Sequence, residues 1–250
     1  MSHGPAATAL AAVRSGVFWA GMAAATVVWA FVSLAARPLP FERRFRTVAQ
    51  WNRFVLWWLR ATCGLGYRVE GREHLPRTGA AVVLSKHQSA WETIAYPVLF
   101  PPQAIVLKRE LLRIPFFGWG LAVLEPIAID RGSPRQALKQ LLEQGVPRLR
   151  QGRWMVIFPE GTRVRPGERR RYQPGGAMVA IKAGVPVVPV AHDAGRYWPR
   201  RGWIKWPGTI RVVIGPPIAT TGRKAQEVTA EAEAWIEATC ARLAAGAPEP

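Results

Sequence analysis

His87 is the residue best suited to move a proton. It lies in the stretch Lys86-His87-Gln88-Ser89-Ala90-Trp91-Glu92. An imidazole can take a proton from an attacking hydroxyl near neutral pH, an effect worth about 10²–10⁴ in rate. A carboxylate that fixes its tautomer and stabilises the imidazolium makes it a better base. Glu92 can be that carboxylate if His87 sits in the turn before a helix and Glu92 in the helix's first turn. Ser89-Ala90-Trp91-Glu92 has the S-x-x-E form of a capping box, which favours that placement. The same observation supports a second reading, in which Glu92 only caps the helix and His87 is a structural histidine. The chain has no G-x-S-x-G nucleophile elbow, and Ser89 is better placed as a cap than as a nucleophile.

A second stretch, Phe158-Pro159-Glu160-Gly161-Thr162-Arg163, is suited to an anion. Gly161 permits a turn whose backbone can approach a ligand. Arg163 offers a planar fork that binds phosphate in bidentate fashion. Glu160 can accept a hydroxyl hydrogen or hold an arginine. The alternative is a plain turn with a solvated arginine.

These residues need a frame. From residue 67 onward short apolar runs alternate with helical stretches. Strands are expected at 67–70, 81–85, 104–108, 127–130, 154–159, 185–191 and 209–214, and helices at 90–99, 134–150, 175–183 and 223–244. This alternation predicts an α/β fold with a mixed, largely parallel sheet covered by helices. His87 follows one strand and Glu160 another, the usual setting of a ligand site in such sheets. The run at 185–190 is apolar on successive residues, as a strand buried on both faces should be, but Pro186 and Pro189 argue for an edge or interrupted strand.

Ahead of this frame, residues 15–36 carry no charge and are bounded by Arg14 and Arg37. The segment is long enough to cross a bilayer. It could equally lie in one leaflet, or act as a cleaved signal, since Ser33-Leu34-Ala35 resembles a cleavage site. If it spans, the cluster Arg37, Arg43, Arg44 and Arg46 places the following domain in the cytoplasm. Residues 51–60 mix aromatics with arginines and read as an interfacial helix or as a core-packing one. The domain organisation expected is a membrane-associated helical segment at 1–65 and a catalytic domain at 66–245, with N-terminal membrane-associated helices preceding the α/β fold.

The net charge of +18 calls for an anionic partner: nucleic acid, an anionic membrane, a phosphorylated substrate or an acidic carrier protein. Hydrophobic content of 49% excludes a disordered chain. Twelve Trp suit a membrane interface. Two cysteines, Cys63 and Cys240, show no metal spacing and suggest a reducing compartment. His192-Asp193 has no companion ligand set, so no metal site is expected. Arg169-Arg170-Arg171 could bind phosphates, headgroups or an acidic protein. Residues 197–206 interleave aromatics with cations, which fits membrane contact or single-stranded nucleic acid.

Together the two stretches, in this order and on a basic chain with an apolar N-terminus, resemble the glycerolipid acyltransferases. The family's first motif is usually Asn-His-x4-Asp; here Lys86 replaces the Asn and Glu92 the Asp. Lys108-Arg109-Glu110-Leu111-Leu112-Arg113-Ile114-Pro115-Phe116-Phe117-Gly118 resembles the middle motif, and residues 185–190 the fourth. The resemblance covers about residues 84–191. It implies acyl transfer from acyl-CoA or acyl carrier protein, as co-substrate and without a further cofactor, to the sn-2 hydroxyl of a lysophosphatidic acid. It implies that His87 and Glu92 are catalytic. It implies that Lys108, Arg109, Glu160, Gly161, Thr162 and Arg163 bind the acceptor. The setting implied is the inner membrane, with the catalytic domain on the cytoplasmic face and no nucleic acid as partner. Alternatives are the same chemistry on another acceptor (another lysophospholipid, glycerol 3-phosphate or a lyso-aminolipid), a non-catalytic lipid binder, or a membrane-tethered nucleic-acid binder.

Overall fold

The computed structural model describes residues 4–129 and 132–246. The expected strand end at Asp130 and the last four residues of the tail fall outside them.

Two helices open the chain. α1 runs Pro5–Ala35, with Pro5 in the first turn, where a missing N–H costs nothing. It starts well before the charge-free run and takes in Arg14. α2 runs Phe41–Cys63, longer than residues 51–60 alone suggested. The two form an antiparallel hairpin. Trp51 Nε1 donates to Thr26 Oγ1 at 3.2 Å, and Trp29 stacks on Phe54 with centroids 5.6 Å apart. Gly21 lies beneath the Trp58 indole, where any side chain would collide.

The main sheet holds β1 (Leu65–Glu70), β2 (Val82–Ser85), β5 (Met155–Ile157), β6 (Val187–His192) and β7 (Gly208–Ile214), in the order β1-β7-β6-β2-β5. β2 pairs in parallel with β5 and with β6, and β1 in parallel with β7; only β6 and β7 are antiparallel. A small parallel sheet joins β3 (Val106–Lys108) to β4 (Ile127–Ile129). It adjoins β5 through Ala104 N, which donates to Trp154 O at 2.7 Å, and Trp154 N, which donates to Pro102 O at 2.7 Å.

The helices are α3 (Trp91–Leu99), α4 (Phe117–Ala122), α5 (Pro134–Arg150), α6 (Gly175–Ala183), α7 (Ala194–Tyr197) and α8 (Ala225–Ala245). α6 packs on β2 and α8 on β6, while α2 packs on β1 and α3. The expected mixed, largely parallel sheet covered by helices is therefore the fold. Val82, Val83, Leu84, Val187, Val188, Val190 and Ala191 are all buried. Burying a side chain such as Val or Leu is worth about 1.5–3 kcal/mol, so these two strands anchor the core.

β6 is a central strand, not an edge. Its even-numbered carbonyls face β2, where Pro186 O and Val190 O accept from Val82 N and Lys86 N. Pro189 therefore turns its hydrogen-free nitrogen to the other side, at the point where β7 ends. Its carbonyl there accepts from Gly215 N at 2.8 Å, so no ladder bond is lost.

Candidate active site

β2, β5 and β6 run the same way, so their carboxyl ends meet at one edge of the sheet. Each ends in a residue with chemistry: β2 leads into Lys86-His87, β5 into the segment from Phe158 to Arg163, and β6 closes on His192.

His87 is 8% exposed, and its ring stacks on Phe158 with centroids 3.9 Å apart and planes 14° from parallel. Phe158 stacks in turn on Tyr96. The ring plane of His87 is thereby set by β5 and α3. Its Nδ1 lies 3.9 Å from Glu92 Oε1, a distance that has to shorten for a direct hydrogen bond. Such contacts are often long in free enzymes and tighten when substrate binds.

Glu92 is fully buried in the first turn of α3. Its Oε1 accepts from Gln88 N at 2.7 Å and Ser89 N at 2.8 Å, and Oε2 accepts from Ser89 N at 3.1 Å. Ser89 Oγ accepts from Trp91 N at 3.1 Å. Glu92 therefore serves the helix start and also faces His87, so its capping role and its place beside the imidazole are compatible. Burial alone would raise the Glu92 carboxyl, but the imidazoles of His192 and His87 outweigh it and hold the group well below the usual carboxylate range. Burial pushes the His87 imidazole below its ordinary value; Glu92 opposes this, while Arg163 and His192 add to it.

Glu160 is 3% exposed and turned inward. His87 N donates to its Oε2 at 2.8 Å, and Lys86 Nζ lies 2.9 Å from its Oε1. Lys86 is buried as well, and donates to Glu237 Oε1 at 2.6 Å and to Glu168 O at 2.9 Å. Tyr172 Oη donates to the same Glu237 oxygen at 2.9 Å. Burial disfavours the lysine charge, but Glu237 and Glu160 more than compensate and raise its pKa. One lysine thus ties the end of β2 to the loop after β5 and to α8.

Gly161 has φ 71°, in the left-handed region, and its N–H closes the turn onto Phe158 O at 3.0 Å. Thr162 and Arg163 follow, both half-buried. Arg163 Nε is buried without a hydrogen-bond partner among the described residues. Val164 N donates to His87 O at 2.8 Å, which holds this loop against the histidine.

Lys108 and Arg109 lie apart from this cluster. They are exposed where β3 passes into the short 3-10 turn Arg109–Arg113, and neither takes part in the hydrogen bonds and ion pairs around His87. The rest of the middle motif docks on α1. Phe116 has φ 62° and ψ −58°, and Phe117 N donates to Pro115 O at 2.7 Å, a strained three-residue turn. Gly120 sits against Ser33, and Phe116 contacts Phe31.

Three roles at the site were not read from the sequence: the stacking surface of Phe158, although that residue opens the second stretch, and the contacts of Glu237 and His192. His192 Nε2 lies 3.1 Å from Glu92 Oε1. Its position just after an apolar strand was the one available signal. The neighbouring Asp193 is committed elsewhere, accepting from Arg211 N at 2.8 Å and Arg211 Nε at 2.9 Å.

A parallel-stranded sheet with a histidine–carboxylate pair at its carboxyl edge, beside a half-buried arginine, is an arrangement able to move a proton next to an anion. The comparisons with known proteins give this arrangement its family. The Acyltransferase family matches residues 66–193. A 1-acyl-sn-glycerol-3-phosphate acyltransferase of Pseudomonas aeruginosa is 48% identical over 93% of this chain and 92% of its own length. One from Borreliella burgdorferi is 34% identical over 51% of each. The crystal structure of a 1-acyl-sn-glycerophosphate (LPA) acyltransferase from Thermotoga maritima, 23% identical, has the same fold, with a TM-score of 0.78 over 94% of this chain and 97% of that one. The chain belongs to the acyltransferase family and is an acyltransferase.

Proposed function

We propose that the protein transfers a fatty acyl group from an acyl thioester to the sn-2 hydroxyl of 1-acyl-sn-glycerol 3-phosphate, giving phosphatidic acid. The observation that carries this is the pairing of His87 with buried Glu92 beside the Arg163 guanidinium. The names of the relatives supply the acceptor.

His87 takes the hydroxyl proton as the oxygen attacks the thioester carbon. Glu92 accepts a hydrogen bond from His87 Nδ1–H and stabilises the imidazolium. The tetrahedral intermediate collapses, the carbon–sulfur bond breaks, and the imidazolium returns its proton to the leaving thiolate. The donor is acyl-CoA or acyl carrier protein, and no other cofactor is needed. Arg163 holds the acceptor phosphate, with Gly161 and Thr162 lining the turn and Lys108 and Arg109 adding positive charge at the approach. Glu160, enclosed by His87 N and Lys86, acts by holding the loop in place.

Residues 1–65 form the membrane-associated part and residues 66–245 the catalytic domain. α1 is long and apolar enough to cross a membrane, yet two points along it touch the same body. Ser15 Oγ accepts from Lys205 N at 2.8 Å, and Ser33, near its C-terminal end, meets Gly120. At 1.5 Å per residue these points lie about 27 Å apart, close to the thickness of a hydrocarbon core, so a crossing helix would carry one of them away. Its exposed face of Leu10, Val13, Val17, Val28 and Phe31, with Trp57, Ile114, Trp119 and Trp203 also exposed, suits burial in one leaflet. Arg37, Arg43 and Arg46 are exposed and suit the anionic cytoplasmic leaflet of the inner membrane, whereas Arg44 is turned to Glu125.

The test is product analysis. Purified protein in detergent is given oleoyl-CoA or oleoyl-acyl carrier protein with lysophosphatidic acid, glycerol 3-phosphate or a lysophosphatidylcholine. Phosphatidic acid formed only with lysophosphatidic acid is the expected result; turnover confined to another acceptor would replace that acceptor in the reading.

A further inference from the structure

His192 closes β6, is wholly buried, and lies outside the motifs that single out His87 and Arg163. Its Nδ1 accepts from Ala194 N at 3.2 Å. That contact fixes the tautomer, because a nitrogen that accepts carries no hydrogen. Nε2 is then the N–H: it donates to Lys86 O at 2.8 Å and lies 3.1 Å from Glu92 Oε1. Trp91 and Tyr96 lie against the ring, with centroids 6.4 Å away in each case. The carboxylate of Glu92 thus stands between two imidazoles.

Capping does not require this. The backbone donors Gln88 N and Ser89 N already serve the helix end. Both donors lie on the turn before the helix and hold Glu92 from that side alone. A third contact, from a different strand, fixes the carboxylate from a second direction.

We propose that His192 is a positioning residue of the acyl-transfer site: its Nε2–H holds Glu92 Oε1 where it can accept from His87 Nδ1–H. This rests on the reading of His87 as the base. β6 thereby contributes to the reaction through a residue that acts on Glu92. The charged and titratable groups around His192 are Glu92 and Tyr96 from α3, Asp193 beside it with its partner Arg211 on β7, Lys86 at the end of β2, and Cys240 from α8. Those around His87 are Glu92, Glu160, Arg163 and His192.

The experiment compares His192→Ala and His192→Gln with wild type and with His87→Ala, using lysophosphatidic acid and oleoyl-CoA across pH 5 to 9. The glutamine amide can donate from nearly the same place. Expected for His192→Ala is a fall in kcat of about 10- to 100-fold, below the 10²–10⁴ assigned to a base, with KM for lysophosphatidic acid within about threefold. His192→Gln should recover most of kcat. The acid limb of the kcat profile should move to lower pH in His192→Ala: with one of its supports gone, Glu92 sits less well against His87 and favours the imidazolium less. A role in folding alone would lower the thermal midpoint without moving that limb. Rates are therefore measured below each variant's midpoint and normalised to folded protein. An unmoved limb, equal losses in both His192 variants, or His192→Ala within threefold of wild type while His87→Ala is inactive would overturn the proposal. Retained activity in His87→Ala would instead overturn the reading on which it rests.

Discussion

Two lysines are fully buried in this protein, and they are kept in opposite ways. Lys86, 1% exposed, sits at the root of the site between Glu160 and Glu237. Lys205, 0% exposed, sits where α1 meets the body. No carboxylate is paired with it among the described residues. Its Nζ lies 3.7 Å from the centroid of Trp19 and 4.7 Å from that of Trp198, with Phe18 and Trp203 further round, and donates to Trp203 O at 2.6 Å. Burial pushes Lys205 down to about 7, while its two carboxylates raise Lys86. The site fixes its geometry with opposed full charges, which are directional and stringent. The junction with α1 uses aromatic faces, which hold a cation loosely and also pack well around a neutral group.

Lys86→Met should have the largest effect. It leaves Glu160 and Glu237 buried without their cation, and breaking a buried pair costs about 3–5 kcal/mol. Denaturant unfolding should show that loss, with activity falling because His87 N is held by the same Glu160. Adding Glu237→Gln should recover part of the stability. A double variant no better than the single would mean that charge compensation is not what Lys86 supplies.

Arg163→Gln comes next. Removing a charged phosphate contact costs about 1.5–3 kcal/mol, or roughly 10- to 150-fold in kcat/KM, chiefly through KM for lysophosphatidic acid. Wild type should gain activity as pH rises through a value below the ordinary 6.5 of histidine, because burial depresses His87. Arg163 contributes to that depression, so the limb should move up in the variant. A limb that stays put would place the guanidinium too far from His87 to serve the proposed site.

Lys205→Met should be mild, at most about 0.5–2 kcal/mol for the lost cation–π contacts, with kcat unchanged. Its signature is in the pH dependence. A lysine whose folded pKa is about 7 and whose unfolded value is about 10.4 binds its proton less tightly when folded, so stability rises with pH between those values. That rise should be present in wild type and absent from the variant in thermal melts at pH 7 and pH 9.5. Equal destabilisation by Lys205→Met and Lys86→Met would erase the distinction between the two sites.

The sequence displays the charge-bearing half of this comparison better than the aromatic half. His87 and Arg163 are legible because each comes soon after an apolar run, and a strand end is where a parallel sheet presents side chains; Glu92 is legible because it closes an S-x-x-E pattern at a helix start. His192 follows such a run too, but only the β2–β6 pairing brings it to Glu92. The prolines of β6 pointed to an edge, since sequence does not reveal on which side of a strand a nitrogen falls. Lys108 and Arg109 were readable as cations after a strand, whereas the exposed position of that strand end depends on the small second sheet. The interleaved aromatics and cations of 197–206 are legible, but the closing of a cage on Lys205 depends on Phe18 and Trp19 of α1, more than 180 residues away, which no local pattern announces.

The central claim is that His87 is the base of an acyl transfer. Its most direct test is the initial rate of phosphatidic acid formation by His87→Ala, checked by circular dichroism and thermal melting to be folded as wild type. The account predicts a loss of at least about 10²-fold with little change in KM for lysophosphatidic acid; a loss of only a few-fold in folded protein would contradict it.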